Sequence, residues 1–83
     1  MLKLKKNGYY ENSTKTNYVL LTEGMLSAFS YNWWRYLRVI DDKVVFNRYK
    51  YSVTTQRHQR ECMELLTEHG IAVDLFVESP KSL

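Results

Sequence analysis

The chain has 83 residues, 45% of them hydrophobic, and a net charge of +3. That length predicts one domain spanning residues 1–83, and the apolar share is too high for a disordered chain. No apolar run nears the roughly 18–20 residues that cross a bilayer, and Met1 to Lys6 lacks the apolar stretch of a secretory signal, so a cytoplasmic protein with no membrane attachment is expected.

Leu2-Lys3-Leu4-Lys5 alternates with the period of a half-exposed strand. Asn7-Gly8 is a hairpin signal, because both residues tolerate positive φ, and Tyr9-Tyr10 begins the returning strand. Asn12 to Asn17 is polar and reads as a loop. Tyr18 to Leu21 is a β-prone run, Glu23-Gly24 marks a turn, and Met25 to Phe29 is read as a strand. A hairpin follows, from Trp33 to Ile40 and back from Val44 to Tyr51, with Asp41-Asp42-Lys43 taken as a three-residue loop. Thr54 or Thr55 would cap a helix that runs to His69 and stops at Gly70. Its inner stripe is His58, Cys62, Leu65, Leu66 and His69, at helical spacing. Arg57–Glu61 and Arg60–Glu64 are i,i+4 pairs on its wetter sides. Ile71 to Val77 reads as a last, mostly buried strand.

Charge is sorted along the chain. Residues 1–60 hold eleven Lys/Arg against four acids, a net of +7, and residues 61–83 hold one lysine against five acids, a net of −4. A basic sheet and an acidic helix and C-terminal segment are expected. A basic face attracts phosphates or acidic protein surfaces, although cations also serve merely to solvate a strand.

Residues 29–51 contain eight of the twelve aromatic residues. With a three-residue loop, odd positions (Trp33, Leu37, Val39, Val45, Tyr49, Tyr51) share one face, which would be core. Even positions, Trp34, Tyr36, Arg38, Phe46, Arg48 and Lys50, share the other. Rings mixed with cations suit a protein interface, where Trp, Tyr and Arg dominate binding energy. They also suit single-stranded nucleic acid, whose bases stack on rings. Plain cross-strand packing accounts for the same residues.

Catalytic patterns are thin. His58 and Cys62 lie one helical turn apart, but a cysteine beside Leu65 and Leu66 behaves as a small hydrophobe. His69 lies too far along the helix to share a metal with them. Ser52 near His58 lacks a third group, and the three glycines are isolated. No enzyme activity, cofactor or metal is expected.

Phe29-Ser30-Tyr31-Asn32, a hairpin, and then Tyr51-Ser52-Val53-Thr54-Thr55-Gln56-Arg57-His58 resemble small phage- and prophage-encoded proteins of uncharacterised function. Their pattern is S-Y, a strand pair, then Y-S-x-T-T-x-[KR]-H opening a helix. The likeness covers about residues 26–66. This chain places Trp33-Trp34-Arg35 where smaller residues usually follow S-Y. The resemblance implies a phage or mobile-element origin and no activity. Ser30, Tyr31, Tyr51, Ser52, Thr54, Thr55 and His58 also make sense as architecture. The hydroxyls can cap the helix, and His58 can reach back to Ser30 or Tyr31 as a neutral, buried ring.

The expected fold is α+β, a small antiparallel sheet of four to six strands with one helix in the C-terminal half packed on one face. The expected function is a non-enzymatic phage accessory protein. It would bind, and by analogy inhibit, a host protein machine such as a nuclease or defence complex through the even-numbered face. A small nucleic-acid-binding protein is the alternative, and a homo-oligomer stays open.

Overall fold

The computed structural model describes residues 1–22 and 24–83. Its strands are β1 (Lys3–Lys6), β2 (Tyr9–Glu11), β3 (Asn17–Thr22), β4 (Met25–Ser30), β5 (Trp34–Ile40), β6 (Lys43–Asn47) and β7 (Leu75–Val77). They form one sheet in sequence order, antiparallel from β1 to β6. The helix α1 (Val53–Glu68) separates β6 from β7. Such a crossover lets two strands run parallel, and β7 is parallel to β6. The sheet therefore has seven strands, not four to six, and is not wholly antiparallel. The last strand keeps only three residues of the run from Ile71, and Leu75 and Phe76 are 52% and 40% exposed, because β7 is a sheet edge.

Tight turns explain the order of the strands. Asn7-Gly8 joins β1 to β2 as expected, with Gly8 at φ 76°. A Cβ there would sit 3.0 Å from the Leu21 carbonyl oxygen, so only glycine fits. Of the expected Glu23-Gly24 turn, Glu23 lies outside the described residues. Tyr31 and Asn32 (φ 57° and 67°) turn β4 into β5, and Asp41 and Asp42 (φ 51° and 62°) turn β5 into β6.

The helix is capped two residues before Thr54, the earlier of the two expected threonines. Ser52 is its cap, its Oγ accepting the Thr55 N–H at 3.0 Å. Gly70 (φ 67°) ends it. The Ile71 N–H bonds the Leu66 carbonyl at 2.9 Å and the Gly70 N–H the Thr67 carbonyl at 3.1 Å, the two bonds of a Schellman stop. Among the described residues neither Arg57–Glu61 nor Arg60–Glu64 closes into an ion pair.

One row of paired residues, Val19, Ala28, Leu37 and Phe46, crosses β3 to β6. It forms the core with Cys62, Leu65 and Leu66 from α1. Each large apolar side chain sealed there contributes about 1.5–3 kcal/mol. His69, expected on the inner stripe, is exposed and bonds the Tyr10 hydroxyl through Nε2 at 3.0 Å. Among the described residues no helix is long and apolar enough to cross a membrane.

Candidate functional site

The six residues expected to share an open basic-aromatic face do not share one. Trp34 and Tyr36 are fully buried and Phe46 is 2% exposed. Two features of the backbone cause this. The β5–β6 loop has two residues, since Ile40 pairs with Lys43, so Phe46 pairs with Leu37 and turns toward the helix. A bulge in β5 opposite Ala28 and Phe29 then lets Tyr36 and Leu37, adjacent in sequence, both be buried. Arg48 and Lys50 line a shallow groove beside Gln59, Arg60 and Met63 of α1. The Arg48 guanidinium rests 3.9 Å above the Phe76 ring. Of the six, only Arg38 projects from the face opposite the helix. Trp33, expected in the core, is 58% exposed with its ring edge against Tyr51, itself 43% exposed.

The second group of residues does assemble. Tyr31 OH lies 2.9 Å from Ser52 Oγ, and Ser52 Oγ donates to Thr55 Oγ1 at 3.2 Å. Thr55 Oγ1 lies 3.0 Å from Ser30 Oγ, which lies 2.8 Å from His58 Nδ1. Since Ser52 gives its proton to Thr55, one consistent order runs Tyr31 to Ser52 to Thr55 to Ser30 to His58. Nδ1 then accepts, and the proton of the neutral imidazole sits on Nε2. That Nε2 is buried and has no hydrogen-bond partner among the described residues. Burial lowers the His58 pKa from its ordinary value. Bonds from Ser52, then Thr54, lower that of Tyr31. Tyr51 packs against Tyr31 and Trp34.

A neighbouring cluster ties the middle of the helix to the sheet. Tyr36 OH donates to Asn17 Oδ1 at 2.6 Å and to the His58 carbonyl at 3.2 Å. Asn17 Nδ2 donates to the same carbonyl at 3.3 Å. Burial pushes the Cys62 thiol up to about 12. A serine 2.8 Å from a histidine has the spacing of an activated nucleophile. Both side chains are at 0% exposure, so no substrate reaches them in this arrangement. What the contacts accomplish is a cross-link from the β4–β5 turn to the first turns of α1. Among the described residues no three of His, Cys, Asp and Glu gather where they could hold a metal ion.

Directly paired residues share a sheet face. The face away from the helix therefore carries Lys3 and Glu11, Lys6 and Tyr9, Tyr18 and Phe29, Arg35, Ser27 and Arg38, and Ile40 and Lys43. Among the described residues this face holds five cations against the single side-chain carboxylate of Glu11, and two of the five, Arg35 and Arg38, bond the Leu83 oxygen. The Glu11 carboxylate already accepts the Tyr9 hydroxyl at 2.8 Å. Lys3, Lys6, Arg38 and Lys43 are exposed and Arg35 half-buried. Three rings cross the strands in a row. Tyr9 meets Tyr18 edge-on at 6.0 Å, Tyr18 stacks on Phe29 at 4.8 Å and 19°, and the Arg35 guanidinium lies 5.7 Å over Phe29. Sequence reasoning missed Lys3, Lys6, Tyr9 and Tyr18 because it sought the site within one hairpin, and Lys43 because it placed that residue in the loop and not in β6. The signal was there in the parity of Tyr18 and Leu20 along β3.

No protein-family model matches the chain, and neither does any curated protein or solved structure.

Proposed function

We propose that this protein is a non-catalytic binding module whose open sheet face docks on an acidic protein surface. The observation that carries the reading is the sorting of side-chain charge among the described residues, five cations against one occupied carboxylate, with Lys3, Lys6 and Lys43 in water and Arg35 and Arg38 bonded to Leu83. Such a face draws an acidic partner at long range and rejects a basic one. The ring row favours protein over single-stranded nucleic acid. Bases need free ring faces, and here Phe29 is already stacked on Tyr18 and has the Arg35 guanidinium 5.7 Å over its ring.

The S-Y and Y-S-x-T-T-x-R-H resemblance supports a phage-type accessory protein acting in the cytoplasm of a host cell. The partner would be a host nuclease or defence complex, inhibited by occlusion. A basic face cannot fill the basic path in which such a machine holds nucleic acid. It fits an acidic outer surface, so inhibition would come from blocking assembly or movement.

A pull-down from a bacterial lysate, with and without nuclease treatment, tests the proposal. The expected result is a protein captured in both samples and released by salt. Capture that vanishes with nuclease, together with a salt-steep gel shift of a single-stranded oligonucleotide, would replace this reading with nucleic-acid binding.

A further inference from the structure

Residues 79–83 occupy a place that belongs to a strand. Strand β6 ends at Asn47, which leaves the start of β5 without a neighbour on that side. The 79–83 segment fills the gap. The Leu83 N–H donates to the Arg35 carbonyl at 2.9 Å, and the Arg35 N–H donates to Ser82 Oγ at 2.8 Å. Upstream, Trp34 Nε1 donates to the Pro80 carbonyl at 3.1 Å, and Asn47 Nδ2 to the Ser79 carbonyl at 2.8 Å. Three guanidinium nitrogens then converge on one oxygen. Arg35 Nε and Nη2 lie 3.0 and 2.7 Å from the Leu83 oxygen, and Arg38 Nη1 lies 3.4 Å from it. That oxygen belongs to the carboxyl group of Leu83, so the two arginines already hold an acidic group in this seat. The arrangement matches the paired oxygens of a carboxylate, which guanidinium binds about twice as strongly as a neutral acceptor.

We infer that this edge of β5 is a docking seat for an extended, acidic segment of a partner protein, and that residues 79–83 are its resident stand-in. The partner strand takes the backbone positions of Ser82 and Leu83 and sets a carboxylate on Arg35 and Arg38. Main-chain bonds give the affinity and the arginines select the acidic side chain. The inference rests on the acidic-partner reading above, since Arg35 and Arg38 also belong to the open face. It adds the partner's backbone conformation and a competing segment inside the chain.

Hydrogen exchange on the full chain tests the first half. The Arg35 and Leu83 amides should exchange at least about 100-fold faster than those of central β4, as a locally opening segment does. Equal rates would make 79–83 a fixed part of the fold and overturn the inference. The second half uses a fluorescent heptapeptide of alternating valine and glutamate as probe. The double variant Ser82→Ala, Leu83→Pro removes one acceptor and one donor from the segment and leaves both arginines intact. It should bind the probe about fivefold more tightly or better than the native chain. Adding Arg35→Gln should erase the gain. No gain, or a gain that survives Arg35→Gln, contradicts the seat. Lys6→Glu with Lys43→Glu, away from the seat, reads the open face alone. If that pair weakens the probe while the segment variant gains nothing, the seat fails and the face stands. If the reverse holds, the seat stands and the face fails.

Discussion

On the helix-covered side of the sheet, Trp34, Tyr36, Leu37, Phe46 and His58 are at or below 2% exposure, and the Tyr36 hydroxyl and His58 Nδ1 are bonded in networks that join the sheet to α1. On the other side, Arg38, Lys3, Lys6 and Lys43 are exposed, and the only side-chain carboxylate among the described residues is held by a neighbouring tyrosine. Both sides are rich in rings, so ring content alone does not mark a surface for binding. What separates them is where the rings' polar partners come from. Tyr36 and Trp34 spend their donors on Asn17 and on the Pro80 carbonyl of the same chain, whereas Tyr9, Tyr18 and Phe29 mostly contact one another, with Arg35 beyond them. Lys3, Lys6 and Lys43 are left in water after such packing, while Arg35 and Arg38 bond the Leu83 oxygen.

The contrast predicts unequal costs of substitution. Trp34→Ala should have the largest effect, about 3–5 kcal/mol, by opening a cavity under the helix and orphaning the Pro80 carbonyl. Urea unfolding measures it, and a loss below about 1 kcal/mol would mean that Trp34 is not in the core. His58→Ala should cost about 1–3 kcal/mol, because Ser30 loses its acceptor. The histidine also carries a pH signature. Its folded pKa is lowered by burial, so its contribution is complete above the unfolded value of roughly 6.5. The contribution is lost as pH falls from there through the folded value, and His58→Ala should flatten that part of the stability profile. An NMR titration giving a pKa above that of free histidine would instead place the ring in contact with acid or solvent.

The sequence announces much of the covered side and misplaces the open one, for reasons visible in particular residues. His58, Cys62, Leu65 and Leu66 fall on one helical stripe, and Ser30, Ser52 and Thr55 cluster around them because a buried imidazole needs a nearby hydroxyl. Period and chemistry agree there. The Asp41-Asp42 turn was readable as two or three residues long, and the choice reverses the facing of all of β6. The bulge at Tyr36 leaves no trace in the composition. It is set by how the Tyr36 hydroxyl reaches Asn17 and the His58 carbonyl across 19 and 22 residues. Parallel pairing of β7 depends likewise on the crossover helix, not on Leu75-Phe76-Val77 themselves.

Smaller effects sharpen the comparison. The Cys62 thiol, pushed up to about 12 and sealed among core residues, should resist a thiol reagent at pH 8 and react only on unfolding. Fast labelling of the folded chain would show that the covered side opens readily. Asp42→Gly should leave stability within about 1 kcal/mol in either direction, since glycine relieves positive φ while loosening the unfolded chain.

The smallest expected change in stability belongs to the substitution with the largest expected change in binding. Lys6→Glu, Arg38→Glu and Lys43→Glu together reverse three exposed charges on the open face. Measured side by side on that triple variant, the unfolding free energy should stay within about 1 kcal/mol of the native chain, while protein capture from nuclease-treated lysate is lost. A variant that still captures the same protein, or that loses capture only because it unfolds, would contradict the assignment of the open face as the docking surface.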